Sequence, residues 1–194
     1  MLGATCTLPY AGVYNVMTST KLTKKKWLIT GLGMLAQHGP NALKAEPLSR
    51  ALQTTKGSFY WHFKDVPAFQ REVLELWSAQ AVGNFVQHLA AETTAPLQLR
   101  RLGQPPESSG PSAPPDLEAA VRAWGSGNHT VANAITEVDA QRTRYLAELL
   151  KQLGVTDESF AVVLYGAWVG LHIQKHKAKD QAMETLVDLI LALR

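Results

Sequence analysis

The 194-residue chain holds a single cysteine, Cys6, so no internal disulfide framework is open to it and a reducing cytoplasm suits it. Long apolar runs are also missing. The longest near-apolar stretch, Phe160 to Ile173, falls short of the roughly 18 residues that a membrane-spanning helix needs. Met1 to Ser19 has apolar and small residues but no basic start ahead of them, which argues against a secretory signal. A flexible tail is predicted over residues 1–20, and translation from Met17 is equally consistent. Strand signals are nearly absent, because apolar residues recur at three and four rather than at two, and this favours an all-α fold. There is no Gly-rich phosphate loop, nucleophile elbow or paired set of metal ligands, so an enzyme reading has little support and no cofactor is expected.

What is present is a chain long enough to bury a real core in one or two domains. Its net charge is +3, unevenly spread. Up to Ala90 there are nine Lys/Arg against four Asp/Glu, and beyond it ten against twelve. A basic N-terminal part on a slightly acidic remainder suits a domain that faces DNA joined to one that does not, although chance unevenness gives the same pattern.

Hydrophobic spacing predicts the helices in order. Lys21 to His38 is the first, with Leu22, Leu28, Ile29, Leu32, Leu35 and Ala36 near one face and Gly39-Pro40 as its stop. Lys21, Lys24, Lys25 and Lys26 crowd its start against the helix dipole, a placement that suits phosphate contact or a merely solvated end. Lys44 to Leu52 follows, Pro47 being tolerated only in a first turn. A short helix over Thr54 to Trp61 comes next, then Val66 to His88 capped by Asp65, with Phe69, Val73, Leu76 and Trp77 at helical spacing. Pro96 to Leu102 forms a short fifth helix, and Gly103 to Pro115, rich in Pro, Ser and Gly, forms a loop. The remaining helices are Asp116 to Trp124, Val131 to Leu153 with Gly154 as its C-terminal cap, Asp157 to Lys177, apolar nearly all round, and Asp180 to Leu193.

The stretch KAEPLSRALQTTKGSFYWHFKD, Lys44 to Asp65, carries most of the functional information. Leu48, Ala51 and Leu52 fall at i, i+3 and i+4 and predict a packed stripe, while Lys56, Ser58 and His62 after the break carry polar groups. One supporting helix followed by one that presents polar side chains is the layout of a helix-turn-helix.

TKGSFYWHFKD resembles the signature of the tetracycline-repressor (TetR) family of bacterial transcription regulators. Asp116 to Gly154 is similar to a ligand-domain segment of one TetR subgroup, with R-x-W ending one helix and V-D-x-x-R-x-x-Y-L in the next. The resemblance implies an all-α fold with a three-helix DNA-binding domain over residues 21–65 and a helical ligand-binding and dimerisation domain over residues 66–194. It places Lys44, Thr54, Thr55, Lys56, Gly57, Ser58, Tyr60, Trp61, His62 and Lys64 at DNA-facing positions. Lys56 can reach guanine O6/N7 or a phosphate, Thr55 and Ser58 are short enough for the groove floor, and Gly57 permits close backbone approach. Tyr60 and His62 can donate to flanking phosphates and Lys64 adds a point charge. Phe59 and Phe63 suit the core, and Trp61 suits either packing or contact.

Lys44, Gln53 and Thr54 depart from the family pattern, which commonly has a capping Thr or Ser, a turn Gly and a Val there. Gln53 is costly if that turn needs a positive φ. The resemblance also implies a small-molecule pocket, for which Trp77, Phe85, Trp124, Tyr145, Trp168 and His172 are candidate lining residues, although each taken singly reads more readily as ordinary core. A ligand there would set the separation of two DNA-reading heads through the fourth helix. The last two long helices suit a homodimer that reads a palindromic operator, the alternative being a monomer that covers those faces itself. His172 and His176 lie four apart and could hold a metal from one face, but no carboxylate or Cys completes the set, so no metal site is expected. The leading reading is a cytoplasmic, ligand-released repressor; the alternative is a helical ligand-binding or scaffolding protein whose helix-turn-helix is vestigial.

Overall fold

The computed structural model describes residues 22–104, 117–173 and 177–192; the predicted tail, Lys21, most of the predicted loop, His176 and Leu193 lie outside them. Among the described residues there are nine α-helices and no strand: α1 (Lys24–His38), α2 (Ala45–Ala51), α3 (Lys56–His62), α4 (Val66–Leu89), α5 (Ala95–Arg100), α6 (Leu117–Gly125), α7 (His129–Gln152), α8 (Ser159–Ile173) and α9 (Lys179–Leu191). None of these helices is long and apolar enough to cross a membrane. The chain divides into two compact units. The first runs to Val73 and takes in α6 up to Ala120, and the second holds Leu74–Glu107 and Val121 onward. The division falls within α4, whereas the boundary expected from the sequence lay at that helix's start.

The first unit is built on an aromatic core. Trp27, Phe59, Phe63 and Phe69 are fully or almost fully buried, and the Phe59 ring centroid lies 5.5 Å from Trp27, 5.1 Å from Phe63 and 5.3 Å from Phe69. The pairs with Trp27 and Phe69 are edge-to-face and that with Phe63 is tilted; aromatic pairs of this kind add roughly 0.5–1.5 kcal/mol each beyond their buried area. Trp27 is absent from the face predicted for α1; Leu28 and Ile29, assigned to that face, are only half-buried. Gly31 explains the tight approach of α1 to α4, since a Cβ there would stand 2.7 Å from Phe69 Cζ and 2.9 Å from Val73 Cγ2. The buried stripe of α2 is Ala45, Leu48 and Ser49 rather than Leu48, Ala51 and Leu52: it starts one turn earlier, and Ala51 faces solvent. Small residues on both sides of Leu48 make either stripe possible from spacing alone.

The second unit is a helical assembly with Leu146, Leu149, Leu150, Leu164, Met183, Val187 and Ile190 in its core. α7 ends in a Schellman turn: Val155 N–H donates to Leu150 O at 3.0 Å and Gly154 N–H to Lys151 O at 3.1 Å, with Gly154 at φ 86°. This is the cap expected of Gly154. α7 starts two residues earlier than predicted because Asn128 caps it, its side-chain oxygen accepting from Val131 N–H at 3.2 Å.

Candidate nucleic-acid interface

The connection between α2 and α3 repeats the Schellman geometry with a different residue at its centre. Thr54 N–H donates to Ser49 O at 2.9 Å and Gln53 N–H to Arg50 O at 3.1 Å, with Gln53 at φ 52°. Gln53 thus takes the left-handed conformation that Gly takes after α7, at a cost of about 1–2 kcal/mol for a residue bearing a Cβ. Lys44 stands at the N-cap of α2 and makes no side-chain capping bond, as its chemistry dictates. Pro47 lies in the first turn of that helix, where its missing N–H costs nothing.

α3 begins at Lys56 because Thr55 caps it, Oγ1 accepting from Ser58 N–H at 3.4 Å. One face of the helix then enters the aromatic core through Phe59, and Phe63 follows at its end. The opposite face is open: Trp61 is 89% exposed and Tyr60 55% exposed. Thr55, Lys56, Gly57 and Lys64 are also exposed, and Thr54, Ser58 and His62 are half-buried. Trp61 therefore takes no part in packing. His62 is shared, with its ring 6.5 Å from Trp27 and 6.2 Å from Phe63. Lys56 Nζ lies 2.8 Å from Glu46 Oε2, an ion pair from α2 to α3 that spacing did not reveal. Of the basic cluster at the start of α1, Lys24 pairs with Glu72 at 2.7 Å and lies over the Phe63 ring, while Lys25 and Lys26 are exposed.

The candidate ligand residues fall into two groups. Phe85, Trp168 and His172 come together, with centroids 5.3 Å apart for the first pair and 4.7 Å for the second. Among the described residues Trp77, Trp124 and Tyr145 have no ring contact with them; Trp77 is buried, and burial pushes the Tyr145 phenol above its ordinary pKa. The aromatic group is joined by a polar network that the sequence reading left unassigned. Arg122 Nη1 donates to Asp139 Oδ2 at 3.0 Å, and Tyr165 Oη donates to Asp139 Oδ1 at 2.6 Å. Arg142, 4% exposed, donates to Tyr165 Oη at 3.2 Å and to the Ala81 carbonyl of α4 at 2.9 Å. Its guanidinium carbon sits 5.5 Å from the centroids of both Phe85 and Trp168. Burial, foremost, pushes the Tyr165 phenol up to about 12. A separate hollow of about 170 Å³ lies at the turn from α7 to α8, lined by Glu148, Lys151, Val155 and Asp157 among others and by none of the six candidates.

With these features in place the molecule defines a class: an all-helical chain whose N-terminal unit is a helix-turn-helix with an exposed second helix. No family model matches the sequence, and no curated protein matches it. Solved structures do. A protein from Rhodococcus sp. assigned to the TetR family of transcriptional regulators superposes with a TM-score of 0.68 at 16% identity, covering 87% of this chain and 98% of that one. E. coli NemR in its reduced form gives 0.67 at 21% identity, covering 88% and 93%. SCO4454, a TetR-family transcriptional regulator from Streptomyces coelicolor, gives 0.65 at 17% identity, covering 87% and 88%. The fold of this chain is that of TetR-family regulators.

Proposed function

We propose that the chain is a sequence-specific DNA-binding transcriptional regulator, a cytoplasmic homodimeric repressor released from a palindromic operator by a small molecule. The observation that carries this reading is the division of α3, whose Phe59 is buried while Lys56, Tyr60 and Trp61 stand in solvent. A seven-residue helix that turns its apolar side to support and leaves two large aromatics and a cation exposed is built to meet a partner. Lys56 reaches a guanine edge or a phosphate, Tyr60 and His62 donate to flanking phosphates, and Trp61 lies against sugar or a thymine methyl. Lys44, Thr54, Thr55, Gly57, Ser58 and Lys64 frame that contact.

The dimer is supported by apolar surface on α8 and α9. Val162, Val163 and Ile173 are 61%, 55% and 40% exposed, and Leu189 on α9 is 62% exposed. Exposed Gly166 lies between the first two and Ile173 on α8. A second copy would cover them by a two-fold contact. The ligand site belongs beside Phe85, Trp168 and His172, where Arg142 binds the backbone of α4, and α4 is one continuous helix from the first unit into the second.

Gel-shift titration against the DNA upstream of its own gene, at two salt concentrations, tests the reading. The expected result is a specific shift that weakens with salt. A protein that gives no such shift at either salt is not this regulator.

A further inference from the structure

The Lys56–Glu46 ion pair stands on the face that the proposed function turns toward DNA. The two Glu46 carboxylate oxygens are divided between two cations, Oε2 with Lys56 Nζ at 2.8 Å and Oε1 with Arg50 Nη2 at 2.8 Å. Lys56, by hydrogen bond and charge, and Arg50 after it hold this carboxyl below its usual range. The three side chains are 52% (Glu46), 58% (Lys56) and 79% (Arg50) exposed. Pairs as exposed as these add little to folding, and the first unit has an aromatic core to hold it. The carboxylate's larger consequence is electrostatic. Sequence-independent affinity for DNA comes from cations that neutralise phosphates and release counterions, and a lysine already neutralised by a carboxylate contributes little to that exchange.

We propose that Glu46 is a positioning residue that sets specificity by acting through Lys56. It holds the Lys56 ammonium in the free protein and on random DNA, where a phosphate contact would have to break the ion pair and bring a carboxylate close to the backbone. At a preferred site the O6 and N7 acceptors of a guanine replace the carboxylate, and the lysine is released to them. The inference rests on the DNA-binding reading above and concerns how that face discriminates.

The test uses full-length wild type, Glu46→Gln, Lys56→Ala and the double variant. Each is titrated by fluorescence anisotropy with a duplex enriched by the wild type from a random pool and with a scrambled duplex of equal length. Glu46→Gln is expected to tighten the scrambled duplex more than the enriched one, so that their affinity ratio falls. One more effective phosphate contact per protomer steepens the scrambled-duplex salt slope by about 0.9, which adds a loss of about 3.5-fold per protomer between about 50 and 200 mM salt. In the Lys56→Ala background the same substitution is expected to leave the affinity ratio of the two duplexes unchanged, any effect through Arg50 being smaller and common to both. Circular dichroism melting checks that each variant is folded. An unchanged ratio, a selective loss of the enriched duplex (the mark of a carboxylate that reads a base directly) or an equal fall in the ratio without Lys56 each overturns the inference while the DNA-binding reading stands. A wild type that enriches no duplex overturns both.

Discussion

The two units place their polar and apolar groups in opposite ways. The first keeps an aromatic core and exposes cations and large aromatics, Lys56, Tyr60 and Trp61, along one short helix. The second buries Arg142 and Tyr165, with Arg122 and Asp139 beside them, and exposes Val162, Val163 and Leu189. Burying charge is costly unless every partner is in place, so the second unit's interior is specified by a few bonds. The first unit's surface pairs, such as Lys56 with Glu46, are exposed and add little to folding, so that surface can serve an external partner. Exposed chemistry in the first unit and exposed hydrocarbon in the second fit the nucleic-acid contact and the protein contact proposed above.

Asp139→Ala breaks this contrast most severely. It leaves the Arg122 guanidinium and the Tyr165 hydroxyl without their shared carboxylate, and a loss of about 3 kcal/mol is expected, the lower end of the range because the pair is partly screened. Urea unfolding at fixed protein concentration measures it. Lys56→Ala tests the opposite pole: specific DNA affinity falls by about 1–3 kcal/mol while the melting temperature stays put. A variant that melts early and binds normally would reverse the assignment of that residue.

Tyr165→Phe sharpens the comparison with a smaller effect. Loss of the bonds made by the phenol costs about 1 kcal/mol at neutral pH. The folded-state pKa, about 12, lies above the ordinary 10.0, so the stability linked to the protonated phenol is fully present below pH 10 and is lost as pH rises toward 12. The phenylalanine variant lacks that component, and its alkaline unfolding between those values is expected to be flatter. The smallest change is a gain: Gln53→Gly relieves the positive φ after α2 and stabilises the first unit by about 1 kcal/mol, read by thermal melting.

Much of the first unit was legible because its information is local. The burial of Phe59 and Phe63, the misfit of Gln53 and the cap at Asp65 all follow from a few neighbouring residues, as does the Gly154 cap in the second unit. Trp27 was missed because α1 has apolar residues on more than one side, and only the partner helices decide which side is buried. The network in the second unit was missed for the reason that makes it informative. Charged residues on a helix are ordinarily read as solvated, yet Arg142 occupies the place in the α7 stripe between Val138 and Leu146 where an apolar residue belongs. That interruption was one available signal, and the R-x-W and V-D-x-x-R-x-x-Y-L motifs, which carry Arg122, Asp139 and Arg142, were another. The joining of Arg142 to Tyr165 and Ala81, distant in sequence, had none.

Trp61 gives the molecule an optical readout of its own. Trp27 and Trp77 are sealed from water, at 0% and 2% exposed, and Trp124 and Trp168 are half-buried, whereas Trp61 is 89% exposed on the face assigned to DNA. In the free protein its indole is the one most open to a collisional quencher such as acrylamide. A duplex seated on α3 would shield it and blue-shift its emission while the enclosed indoles kept theirs, so occupancy of this face can be followed in solution without attaching a dye.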